Sequence, residues 1–141
     1  MSYRTQPFRA PRGALVVLGR LLFALIFILS SPHHFTKPVV AYAAAQGVPL
    51  ASIGVPLTGV IALVGGLSIL LGDCAKIGAW LIVPFLILVT PMMHKLWGIS
   101  DPMVAQMQMV MFMKNLSMLG GALLISQFGA GAFSLDARRS G

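Results

Sequence analysis

Four long apolar runs alternate with short polar interruptions, and the polar residues gather where the runs end. The first run extends from Gly13 to Ser31 and is broken only by Arg20. The second covers Ile53 to Gly72, the third about Ala75 to Met93 and the fourth about Met107 to Phe128. At 1.5 Å per residue, each is long enough to cross the ~30 Å hydrocarbon layer. None alternates with a period of two, so closed barrels are excluded and each run is predicted to be a helix. The pattern predicts an all-α membrane protein: a four transmembrane helix bundle with a short interfacial helix in the first outer loop. It places the bundle at residues 13–128, with spans at about 13–31, 53–72, 75–93 and 107–128. A segment 1–12 and a tail 129–141 flank it.

The connections differ in kind. "GDCAK" (Gly72 to Lys76) reads as a tight turn, with Gly72 ending one helix and Asp73 capping the next. In "KPVVAYAAAQG", Pro38 suits a helix start and Gly47 its end, which sets Tyr42 at headgroup level. In "HKLWGISDPM", Ser100 or Asp101 can cap a helix that begins at Pro102. Continued unbroken to Phe128, that helix would be ~40 Å long, with Gln106 and Gln108 standing above the hydrocarbon. Trp97 fits the aromatic belt. Ala62 with Gly66, and Ser117 with Gly121, are small pairs at helical spacing that permit close backbone approach, and Pro84 predicts a kink. The basic residues before the first run and "AYAAA" (Ala41 to Ala45) resemble a signal peptide, but Arg20 splits the run, so a retained first helix is expected.

Composition strengthens the membrane reading. Of 141 residues, 57% are hydrophobic and 9% charged, against about 25% charged in soluble domains. The net charge of +7 is spread over chain ends and span boundaries. That is the pattern of orientation signals rather than of a nucleic-acid face, so no nucleic-acid partner is expected. With an even number of spans, Arg4, Arg9, Arg12, Arg20, Lys76, Arg138 and Arg139 share one side, and Lys37, Lys95 and Lys114 the other. The bias predicts a multi-pass protein of the bacterial inner (plasma) membrane with both termini cytoplasmic. Cys74 is alone, so an internal disulfide, a C-x-x-C pair and a cysteine zinc site are excluded.

Candidate chemistry is sparse. Lys114, next to Asn115, interrupts the fourth run about 21 Å up the helix from Phe128. It could snorkel to the outer interface, bind a carbonyl, or receive an anionic or quinone-like oxygen. His33, His34 and His94 all fall on the outer side. Lys114, Asn115, His34 and His94 form the candidate polar pocket. With no His-x-x-x-His pair and no thiolate nearby, haem and metal are not expected, and the methionines of the fourth run point several ways rather than toward one copper ion. Arg20 is expected to offset its burial through a structural ion pair with Asp73 or Asp136. No nucleophile–base set and no phosphate-binding glycine loop is present, so no catalytic residue is assigned and a self-sufficient enzyme is not expected.

The chain resembles the DoxX family of small four-helix bacterial membrane proteins. "FMKNLSMLGGALL" followed by "GAGAFSLDARR" is similar to the family's C-terminal signature, through Lys114, Asn115, Gly120, Gly121, Gly129, Gly131, Ser134, Leu135 and Asp136. Arg20 in "LGRLLFALIF", Tyr42 with Gly47 to Pro49, and Gly65-Gly66 ahead of Gly72 extend the likeness from about Leu15 to Arg139. Two features depart from it. Val60 to Val64 reads "VIALV" where many DoxX-like proteins carry a glutamate, and "SSPHHF" replaces a glycine-and-lysine ending of the first span. The resemblance implies a membrane protein that accompanies a quinone-linked redox system, as an accessory oxidoreductase subunit, with a membrane or soluble redox partner beside the lipid bilayer. Quinone is the cofactor this implies. A small-molecule carrier or binding protein, and a structural or assembly subunit held by its small-residue faces or as an oligomer, are the alternatives.

Overall fold

The computed structural model describes the backbone from residue 11 and the side chains from residue 13 to residue 141. The side chains of Arg4, Arg9 and Arg12 and most of segment 1–12 lie outside the described residues. Six helices follow in order: α1 (Pro11–Ser30), α2 (Lys37–Ala45), α3 (Ala51–Leu71), α4 (Ala75–Met93), α5 (Pro102–Phe128) and α6 (Leu135–Arg139). Four of them, α1, α3, α4 and α5, are long and apolar enough to cross a membrane. No strand occurs among the described residues.

Local chemistry sets the helix ends. α1 tightens into a 3₁₀ turn (Ser31–Phe35) at Pro32, where the Ser30 and Ser31 hydroxyls donate back to Phe27 O and Ile28 O. The first long connection is filled by α2, which starts beside Pro38 and stops before Gly47, as its sequence predicts. α3 ends at Gly72, whose φ of 67° lets its N–H reach Ile69 O while Asp73 N–H reaches Ser68 O. α5 is capped by Asp101, whose Oδ1 accepts from Met103 N at 2.8 Å and Val104 N at 3.3 Å. It then runs unbroken for 27 residues.

The four long helices pack in the order α1–α3–α4–α5. Their shared core contains Ala24 and Phe27 from α1, Ala62 and Ile69 from α3, Ile82 and Leu86 from α4 and Ala122 from α5. Large side chains such as Leu15, Leu22, Leu57, Leu88 and Leu124 point outward instead. An apolar exterior around a small-residue interior suits a hydrocarbon solvent, where close packing rather than water exclusion joins helices. Backbones approach most closely between α3 and α4. A Cβ placed on Gly65 would fall 3.0 Å from Gly78 O, and one on Gly78 would fall 3.0 Å from Gly65 O. Gly66 meets α1 at Phe27 and Ala24, and Gly121 of α5 meets Phe23.

Two ends result. The proximal end carries the α3–α4 turn and the C-terminal segment, and the distal end carries α2 and the α4–α5 connection. Filling the α3–α4 contact with Gly78→Leu should lower stability by ~1–3 kcal/mol, the usual cost of overpacking. Gly120→Ala, which faces open space, should leave the thermal midpoint in detergent micelles unchanged or raise it. Equal midpoints for the two variants would contradict this packing.

Candidate functional site

Arg20 is the most buried charge, at 5% exposure. A helical side chain leans toward its own N-terminus, so α1 carries the guanidinium toward the proximal end. There Nη2 donates to Phe133 O at 2.7 Å, while Nε and Nη1 have no partner. Nη1 lies against Gly72, where a Cβ would have no room. The far side of Gly72 is occupied too: its carbonyl accepts from Asp136 N at 2.8 Å. Asp136 in turn accepts from Cys74 N at 2.7 Å and Ala75 N at 3.0 Å, capping α4 with a carboxylate from another part of the chain. Asp73, expected at that cap or opposite Arg20, pairs with Arg139 instead. That pair holds the Arg139 pKa above its ordinary value, first through the hydrogen bond that Arg139 donates to Asp73. Neither acid forms a salt bridge with Arg20, because Asp136 is held by α4 amides and Asp73 lies beside α6.

Asp73, Cys74 and Asp136 also form the one group of three metal-ligand side chains among the described residues. The two carboxylates are committed to amide N–H groups and to Arg139, and the buried cation of Arg20 stands behind Gly72. The arrangement is a helix cap rather than a coordination sphere.

At the distal end the four candidate polar residues diverge. Thr58 Oγ1 donates to Val55 O at 2.6 Å, which uses its only proton. The 2.9 Å contact between His34 Nδ1 and Thr58 Oγ1 is therefore donated by the ring, leaving Nε2 as its acceptor. His94 Nδ1 likewise donates to Gln108 Oε1 at 2.9 Å. His34 packs against Phe85 with ring centroids 6.2 Å apart, and His94 lies nine residues further along the chain, on the order of 13 Å at helical rise. Asn115 faces the bundle interior and is buried, whereas Lys114, one residue and about 100° away, is exposed on the outside of α5. Its Nζ touches only Met111 Sδ, at 3.3 Å, among the recorded bonds of the described residues. These four side chains share no hydrogen bond.

A model of the DoxX family matches residues 15–95, from α1 to the distal end of α4. This chain belongs to the DoxX family. Inner membrane protein YqjF of Escherichia coli (strain K12) is 31% identical over 125 residues, covering 86% of this chain and 88% of that protein. Inner membrane protein YphA of the same organism is 29% identical over 136 residues, covering 93% and 94%. No solved structure matches the chain significantly.

In this DoxX bundle, Ala62 stands in the all-apolar stretch Val60 to Val64, at 0% exposure in the core. The interior at that level thus holds no carboxylate. The linking roles of two residues were not among the sequence expectations. Lys95 Nζ donates to Gln46 O at 2.7 Å, tying α2's C-terminus to the end of α4. Ser134 Oγ accepts from Ala137 N and caps α6. Ser134 carried a signal, an S-x-x cap just before "LDARR"; Lys95 bonds a main-chain carbonyl and left none.

The cap across the chain is testable. Asp136→Ala should cost about 0.5–2 kcal/mol, the worth of a helix N-cap. It should also speed hydrogen exchange at the Cys74 and Ala75 amides while Gly120 and the α5 interior stay protected. Unchanged exchange at those two amides would rule out the cap.

Proposed function

We propose that this DoxX-family chain is a non-catalytic accessory subunit of a quinone-linked redox system in the bacterial inner membrane, with both termini cytoplasmic. The relatives' description as inner membrane proteins supports the location. The distribution of basic residues supports the orientation: Lys76, Arg138 and Arg139 lie at the proximal end, Lys37 and Lys95 at the distal end.

One observation carries the role. Lys114 projects from the outer face of α5 rather than into the bundle. A cation on that face, in the outer part of a span, is turned to the membrane, where a quinone carbonyl or a partner subunit can reach it. His34, His94 and Asn115 do not converge on it, so the chain supplies a surface and the partner supplies the reaction. A carrier would need a path along the bundle axis, and Ile69, Ile82 and Leu86 fill that axis as fully buried side chains.

The purified protein's lipid extract and optical spectrum, together with a photo-crosslinker placed at Met111, test this. The expected result is capture of a quinone analogue or a single membrane partner at Met111. Lys114→Met should weaken quinone binding by roughly ten- to a hundredfold, as for loss of a charged hydrogen bond. Quinone affinity and partner recovery that ignore Lys114→Met would refute the proposal.

A further inference from the structure

We propose that the groove between α2 and the first turns of α3 binds one anionic phospholipid with a hydroxyl-bearing headgroup, such as phosphatidylglycerol. The groove measures about 510 Å³, within the ~300–1,000 Å³ of small-molecule sites. Phe35, Val40, Ala44 and Pro56 make its wall apolar, and Lys37 and Ser52 are its polar groups. Such a lining matches a molecule that joins an acyl chain to a single negative charge.

The groove is built rather than incidental. α2 is held against α3 beside the groove, where Ala43 is buried with Ala51 and Val55. Lys95 fixes its C-terminal carbonyl at Gln46. With both holds in place, the small residues Ala41, Ala44 and Ala51 leave the groove open.

Charge decides the occupant. Lys37 is exposed and takes no part in the one salt bridge among the described residues. The distal end has one acid, Asp101, and its carboxylate is engaged in capping α5. The counter-charge for Lys37 must therefore come from outside the chain, and the lipid phosphodiester is the anion that reaches this level attached to an apolar tail. The headgroup follows from Pro56. A proline has no N–H, so Ser52 O loses its intrahelical donor. A glycerol headgroup brings hydroxyl donors to that carbonyl, and its own oxygens accept from the Ser52 hydroxyl, while the phosphate meets Lys37.

Native mass spectrometry of the full chain in mild detergent, after incubation with phosphatidylglycerol or phosphatidylcholine, tests the site. One phosphatidylglycerol per chain should survive activation, with phosphatidylcholine largely lost. Lys37→Gln should lower phosphatidylglycerol retention roughly fivefold, the effect of one basic residue at an anionic surface, and Lys37→Arg should restore it. Ala44→Trp, which fills the groove, should lower retention without altering the Lys114-dependent quinone behaviour. Should Ala44→Trp fail to fold, the Gln and Arg pair at Lys37 decides alone. Equal retention of the two lipids, wild-type retention in Lys37→Gln, or no retained lipid would each overturn the proposal.

Discussion

The burial of one guanidinium governs the proximal end of this bundle. A charge at 5% exposure inside an apolar helix is among the more expensive groups a chain can place. Arg20 offsets only part of that cost through Phe133 O. Its remaining donors sit behind Gly72, where only a residue without a side chain leaves room. This one contact constrains three segments together. The α3–α4 turn must present Gly72, the C-terminal segment must present the Phe133 carbonyl, and Asp136 must follow closely enough to bond Gly72 and cap α4. The negative carboxylate of Asp136 also stands near the buried cation without forming a salt bridge with it.

The distal end is fastened by different means. There the ties are neutral or single-sided: Lys95 to a helix C-terminal carbonyl, His34 to Thr58, His94 to Gln108. A lysine at a helix C-terminus is favoured by the dipole and by the unsatisfied carbonyls. No carboxylate is spent in these ties, and Asp101 is committed to α5. Both ends therefore carry more basic than acidic side chains, but only the proximal acids tie separate segments together. That asymmetry, rather than any buried constellation, distinguishes the two faces of the molecule.

Much of the fold was legible because membrane solvent leaves few alternatives. Apolar runs of span length fix the helices, and Pro38, Gly47, Gly72, Asp101 and Pro102 mark their ends by local chemistry that a single strand of sequence records. What was not legible depends on partners in space. The partner of Arg20 is a main-chain carbonyl, which no side-chain pattern marks, so an acid was the natural expectation. Asp73 and Asp136 are equally near the turn by topology, and only the direction of the C-terminal segment gives the α4 amides to Asp136. The candidate pocket failed to gather for a similar reason: side (outer or inner) can be read from span count, but the rotational phase of each helix about its own axis depends on its neighbours. Lys114 and Asn115 are adjacent in sequence, yet one faces the core and the other faces out.

That division between neighbours is informative about what α5 does. Had Lys114 been a residue tolerated for packing, turning the helix by one position would have buried an amide or a methionine in either case, and the lysine stem could have snorkelled from any face. Instead the small residues Ala122 and Ser126 continue the face of Asn115 toward α4, which locks the rotation of α5 and commits Lys114 to the exterior. The rotation is set by packing below Lys114, and its consequence is that the lysine leaves α5 on the outside of the bundle. The buried face of α5 is thus packing, and its one lysine lies on the opposite, exposed side.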